Sequence, residues 1–454
     1  VGLVGVAAAV ATIVVAGRLD LPDIGRAPAS VTVEPVAAEQ SRVCAGALVE
    51  IGQDPAAATA ATAVGSPSLT AANGVDGDAS SSTLSAPDDS AGRGGPVLLT
   101  AEPTTNGSTL AGAQSQRVGL ERLSGVAASA CTEAAADAWL VGGSTDVGQT
   151  TVVTLTNPST VDASVSLEVF GENGIVDAAG AAGIVVSAGS QRILSLAGIA
   201  PNVIVPVVHV TSIGAPVAAR LQQSAVRSIT PEGLEVIGSS ASPAEAQVIP
   251  GFVVPSSRPV DRADGYDFRV PGVRILVPGT FDGEVTVVAR TSDGSTSEPR
   301  TVSASAGSVI DVPLDDLSPG EYDLLIASNE PVVAAAHSAS TRDERDDFAW
   351  FASALPLDGT TTAAVASGRE ATISLVNTTD DARTVTVASA GDDAEVEVPA
   401  GGSIRHDVSG GRVYEMSGTE GLHAAVTMLS DEGYASYPVS PPSAASDPVV
   451  VRTR

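Results

Sequence analysis

One register of residues returns along the chain, and it limits the fold more than any other feature, because a repeated register marks a repeated structural unit. Val153-Thr154-Leu155-Thr156-Asn157 is echoed by Ile373-Ser374-Leu375-Val376-Asn377. Val186-Ser187-Ala188-Gly189 is echoed by Val398-Pro399-Ala400-Gly401, with Val302 to Gly307 as an intermediate version. Each copy then reaches a run rich in small residues: Val217-Ala218-Ala219-Arg220, Val333-Ala334-Ala335-Ala336 and His423-Ala424-Ala425-Val426. From Ala138 onward the chain is built of short β-branched runs broken by Gly, Asn, Asp and Pro at intervals of roughly ten residues, the rhythm of half-buried strands in sandwiches. An Asn just past a strand bonds the backbone of the turn that follows, which gives Asn157 and Asn377 a turn-building role.

The expectation is an all-β chain of tandem immunoglobulin-like β-sandwich repeats. Copy 1 is expected over 138–249, copy 2 over 266–346 and copy 3 over 347–443, with a Pro-, Ser- and Arg-rich linker at 250–265 and a tail at 444–454. Ala138-Trp139-Leu140-Val141 and Ala349-Trp350-Phe351-Ala352 read as matching entries to the first and third copies, with Trp139 and Trp350 in their cores. Thr341 to Asp347 reads as a solvated, mixed-charge joint. Ahead of the repeats lies a region at 31–137 whose tract 53–95, poor in large apolar residues, is expected to be a mobile loop.

The N-terminal stretch, uncharged from Val1 to Gly17, reads as a transmembrane anchor or signal segment, followed by a linker at 18–30. Either reading puts the bulk of the chain outside the cytoplasm, as a single-pass protein of the cell membrane held by its N-terminal helix. The Cys content agrees with export. Cys44 and Cys131 are the only cysteines, without metal-ligand spacing, so one structural disulfide is expected.

Charge narrows the function. The formal net charge is −30 and every one of the 23 basic residues is arginine. Without lysine there is no Schiff-base or phosphate-loop lysine chemistry, and so acidic a chain is not expected to bind nucleic acid.

No catalytic constellation stands out. His209, His337, His406 and His423 are isolated in sequence and read as ordinary sandwich residues. The nearest approaches to a nucleophile elbow, at Ser144 and Ser403, lack its final glycine. Adjacent acids such as Asp315-Asp316, Asp346-Asp347 and Asp380-Asp381 read as solvated turns. Oxygen-rich stretches at Asn73 to Asp78 and Asp261 to Asp267 do not match a calcium loop with its distal Glu. Tyr414, Tyr434 and Tyr437 read as core or edge packing. No cofactor and no metal is expected.

The N-terminal anchor, the Cys44 and Cys131 pair, the Ala138 to Gly143 entry and Leu155-Thr156-Asn157-Pro158 together resemble an actinobacterial family of exported, membrane-anchored proteins of unknown function. The resemblance covers about Val31 to Val439; the third copy departs from it at Asn377-Thr378. It implies a link to membrane glycosyltransferases, beside which members are often encoded, and defines no catalytic residue.

The expected function is therefore a non-enzymatic envelope protein, a rod of three sandwiches that acts as a scaffold or binding module, with an envelope glycan or membrane glycosyltransferase as partner. The alternatives are a subunit of an envelope hydrolase or glycosyltransferase with an acidic cleft between sandwiches, marked by two buried carboxylates of shifted pKa, and a calcium-dependent adhesin.

Overall fold

The computed structural model describes residues 30–33, 39–52, 60–102, 109–256, 267–342, 345–368, 370–430, 433–441 and 449–452. The expected anchor Val1–Gly17 and most of the expected linker lie outside them. Among the described residues no helix is long and apolar enough to cross a membrane. The described residues are nearly all β, with one short helix among them at Leu196–Ile199.

Alternation is the local cause. In the strand Ala163–Gly171, Ala163, Val165, Leu167 and Val169 are buried while Ser166 and Glu168 face water. Burying each of those Val and Leu side chains stabilises by roughly 1.5–3 kcal/mol.

The strands between Asp137 and Ile237 form two sheets. Numbered by their place in the chain, eight strands pair in the orders 1-6-3-4 and 5-2-7-8, with a two-residue strand, Gly174–Ile175, added to strand 3. Strands 1 to 8 are, in turn, Asp137–Val141, Gln149–Asn157, Ala163–Gly171, Ile184–Val186, Ser190–Ser195, Val207–Ile213, Ala218–Arg227 and Thr230–Ile237. Val165 and Val210 from one sheet pack with Val153 and Leu221 from the other, so the core lies between them.

The same two orders recur over Ala244–Ala352 and again over Thr361–Pro438. In the former, strands 6 and 7 are one continuous strand, Gly320–Arg342, which pairs with one sheet up to Val332 and with the other from Val333. This order differs from the immunoglobulin arrangement, whose first strand pairs with the second. Here the first pairs with the sixth, as in Trp139 opposite His209.

These boundaries correct three expectations. The expected linker 250–265 begins inside a strand, Ala244–Val254, the first of its sandwich. In the expected joint Thr341 to Asp347, the described residues 341–342 and 345–347 belong to the paired strands 7 and 8 of that same sandwich, and residues 343–344 lie outside the described ones. Trp350 therefore stands on a last strand and Trp139 on a first, so the two are not equivalent, although both are buried. The shared Ala-Trp sequence is a local likeness that the pairing overrides.

The tract 53–95 brings the fourth correction. Its described part carries the strands Ala61–Val64, Ser68–Asn73 and Ser80–Thr83. Gln40–Cys44, Val97–Ala101 and Ser80–Thr83 pair in the order 1-6-3, and Ser68–Asn73, Leu110–Gly119 and Ser124–Ala130 in the order 2-7-8. This is the same pattern without strands 4 and 5, and with a hairpin, Leu48–Ile51 and Ala61–Val64, inserted after strand 1. The region 31–137 thus holds a further sandwich, making four among the described residues. Its own core is small, with Leu99, Ala101 and Leu110 beside the Cys44–Cys131 disulfide. The bridge ties the first strand of one sheet to the end of the other, cross-linking what apolar burial holds weakly.

Two bodies result. Residues 37–443 form one, holding all four sandwiches. In the other, Ser30–Val33 pairs antiparallel with Val449–Arg452, near the opposite end of the chain.

Candidate functional site

The eighth strands of the four sandwiches are Ser124–Ala130, Thr230–Ile237, Arg345–Ala352 and Gly433–Pro438. Each lies against the next, and the last lies against the first, which closes the sandwiches into a ring with fourfold pseudosymmetry.

Equivalent residues stand within the first four positions of these strands: Gly125, Gly233, Asp347 and Gly433. The Asp347 carboxylate fills the place that the three glycines leave open. Its Oδ1 accepts the amides of Leu234 at 3.3 Å and Phe348 at 3.1 Å, and its Oδ2 those of Val126 at 3.2 Å and Tyr434 at 3.3 Å. These four donors are the residues after the four equivalent positions, one from each sandwich. A Cβ at Gly125 or Gly233 would stand 2.7 Å from Asp347 Oδ1, and both glycines have positive φ, +147° and +116°. Burial pushes the Asp347 carboxyl up to about 8, while the four amide donors pull the other way.

Two residues further along stand Ala127, Glu235, Ala349 and Ala435. Glu235 is fully buried; its Oε1 accepts the Val236 amide at 2.8 Å and its Oε2 has no hydrogen-bond partner. Burial raises this carboxyl well above the glutamate range and the negative charge of Asp347 adds to the rise, against the pull of the Val236, Ala128 and Ser436 amides.

Polar side chains seal each joint of the ring. Arg220 of the second sandwich donates to the carbonyls of Val43 and Ala130 in the first, and Gln222 pairs with both the amide and the carbonyl of Val49. Burial lowers the Arg220 pKa to about 10. Arg274 of the third sandwich donates to Gly143 O at 2.7 Å and Pro206 O at 3.1 Å in the second, with its guanidinium 4.7 Å over the Trp350 ring. Trp350 Nε1 donates to Gln223 Oε1 at 2.7 Å across the same joint. Tyr434 of the fourth donates to Val253 O at 2.9 Å in the third, and Ser115 of the first donates to Ser367 O at 2.6 Å in the fourth.

Two features face outward. His209 stacks on Trp139 with centroids 3.9 Å apart, its Nε2 lying 2.8 Å from Asp137 Oδ2 and its Nδ1 3.9 Å from Glu168 Oε2. Between the first two sandwiches runs an open groove of about 400 Å³, lined by Ile51, Glu121, Arg122, Gln149, Ser228 and Ile229 among others. Among the described residues no group of three or more His, Cys, Asp or Glu converges as a metal site would require.

A family-level comparison matches residues 87–409 to the family of unknown function DUF5719. The chain belongs to DUF5719. Curated proteins include no match to it. Among solved structures it is similar to Thermotoga maritima 1070, at 17% identity over 24% of this chain and 92% of that one, with a TM-score of 0.21. It is also similar to the Anabaena sensory rhodopsin transducer, at 22% identity over 21% of this chain and 93% of that one, with a TM-score of 0.17.

Within the DUF5719 segment, Asn157 and Asn377 end the second strands of their sandwiches and make one network twice. Asn157 Nδ2 donates to Val161 O at 2.8 Å and Val186 O at 2.9 Å, while its Oδ1 accepts from Ser159. Asn377 Nδ2 donates to Asp381 O at 2.8 Å and Val398 O at 3.3 Å, and its Oδ1 accepts from Thr379. Cys44 and Cys131 are bonded. None of these residues meets Asp347 or Glu235; the Asp346-Asp347 pair suggests a solvated turn from sequence, and Glu235, a lone acid in an apolar run, carries no motif. The signal that finds Asp347 is a glycine near the start of the last alternating run in the three other sandwiches, where this one has an acid.

Proposed function

We propose that this DUF5719 protein is a non-enzymatic extracytoplasmic scaffold or binding module that works with an envelope glycan or a membrane glycosyltransferase in cell-envelope assembly. The observation that carries the reading is the destination of the buried charge: Asp347, Glu235, Arg220 and Arg274 are enclosed at the joints of the ring, where Asp347 and the arginines bond the backbone of neighbouring sandwiches. A ring braced in this way is a rigid platform. The Cys44–Cys131 bridge suits an oxidising compartment. The groove and the His209 cluster offer polar surface to a partner.

Two buried carboxylates of raised pKa are the mark expected of an enzyme's acidic cleft. Asp347 and Glu235 have that titration, but the Asp347 oxygens are taken up by four backbone amides and Glu235 is fully buried.

Affinity capture of the tagged protein from the membranes of the cell that makes it, with retained proteins and glycans identified, tests the proposal. Recovery of a membrane glycosyltransferase or an envelope polysaccharide supports it. Turnover of an envelope glycan by the purified chain alone contradicts it.

A further inference from the structure

The amides of Val126, Leu234, Phe348 and Tyr434 converge from four sandwiches on one carboxylate, and they do so as equivalent members of a pseudosymmetric ring. Four inward N–H groups sum to a concentrated positive potential, the arrangement by which backbone nests and helix ends hold anions. Only one sandwich supplies the anion. The other three carry glycine at the same place, and a Cβ there would come within 2.7 Å of a carboxylate oxygen at Gly125 and Gly233 and 3.3 Å at Gly433. One carboxylate is therefore both necessary and sufficient: none leaves four buried donors unpaired, and a second would collide with the first.

We propose that this four-amide ring is a binding site for a small carboxylate, and that Asp347 is its built-in occupant. The site belongs to the ring and not to the aspartate, because three of its four donors come from other sandwiches, each from the residue that follows a glycine. The ligand class follows from the contacts. Each oxygen takes two donors, so the ring selects a planar anion with two acceptor atoms and almost no bulk behind them, as in formate.

The test is Asp347→Gly, which puts glycine at all four equivalent positions and leaves a space the size of a carboxylate. Its thermal midpoint is followed at pH 8 in sodium formate and, at equal ionic strength, in sodium pivalate, whose tertiary carbon does not fit. The expected result is a rise of about 2 °C or more in formate over pivalate as the formate concentration passes its dissociation constant, with no such difference in the unaltered protein. Equal midpoints in the two salts overturn the proposal, as does an equal formate effect on the unaltered protein. Asp347→Asn is the second variant: its carboxamide fills the space, so formate leaves its midpoint unchanged, and a formate response as large as that of D347G overturns the site. Where D347G does not fold unaided, refolding yield takes the place of the midpoint. Recovery in formate above that in pivalate supports the site, and recovery in neither contradicts it.

Discussion

The amide of Leu234 donates to the carboxylate of Asp347 across 3.3 Å, and the two residues belong to different sandwiches, 113 positions apart in the chain. The contact shows how the ring is closed: backbone groups that a sheet would ordinarily pair are directed to one side chain shared by all four units.

Removing that side chain leaves buried amides without acceptors. An unsatisfied buried donor costs roughly 1–3 kcal/mol, and relaxation recovers part of the sum. Asp347→Ala is expected to destabilise the protein by about 3–5 kcal/mol in denaturant unfolding. Asp346→Ala, next to it in the same strand and partly exposed, is expected to change stability by less than about 1 kcal/mol. Similar losses at the two positions contradict the role given to Asp347.

The raised carboxyls fix the sign of a pH dependence. A carboxyl whose folded pKa exceeds its unfolded value binds a proton more tightly when folded. Its contribution is complete below the unfolded value, near 4, and is lost as pH rises through the folded value, which for Glu235 lies well above the ordinary range. Glu235→Gln removes the glutamate's share, since a carboxamide keeps an acceptor without a charge. The variant is expected to lose less stability than the unaltered protein between pH 5 and pH 8, and parallel curves contradict it.

The disulfide closes a separation of 87 residues around the smallest of the four cores. Chain entropy gives such a bridge about 4–5 kcal/mol. Replacing both Cys44 and Cys131 by alanine is expected to speed hydrogen exchange in Gln40–Cys44 and Ser124–Ala130 before it does so in Gln149–Asn157. Uniform change across the strands contradicts a local clamp.

Asn157 and Asn377 each hold a turn through two carbonyls and one backbone amide. Alanine at either position is expected to cost about 2 kcal/mol. Losses below about 0.5 kcal/mol contradict the turn role.

The sequence made the strand class legible because alternation such as that of Ala163–Gly171 is a direct consequence of a two-faced sheet. The asparagine turns were legible for a similar reason, since their chemistry is local. What lay beyond reach was pairing. The strand Gly320–Arg342 serves two sheets without a turn, so nothing in composition marks the change, and Trp350 was read as an opening strand when it closes a sandwich. The first sandwich was hidden by its small residues: Ser80–Thr83 is wholly exposed and carries no apolar pattern, and only hydrogen bonding to Val97–Ala101 makes it a strand. The ring was hidden most completely, because its decisive groups are backbone amides, which every residue but proline possesses.

Small-angle X-ray scattering of the 454-residue chain tests the closed ring most directly. A compact body of the length of residues 37–443 has a radius of gyration of about 22 Å, and the account predicts a value near that for this body. Four sandwiches strung in a rod would give roughly twice as much, and such a value would contradict the ring and with it the place assigned to Asp347.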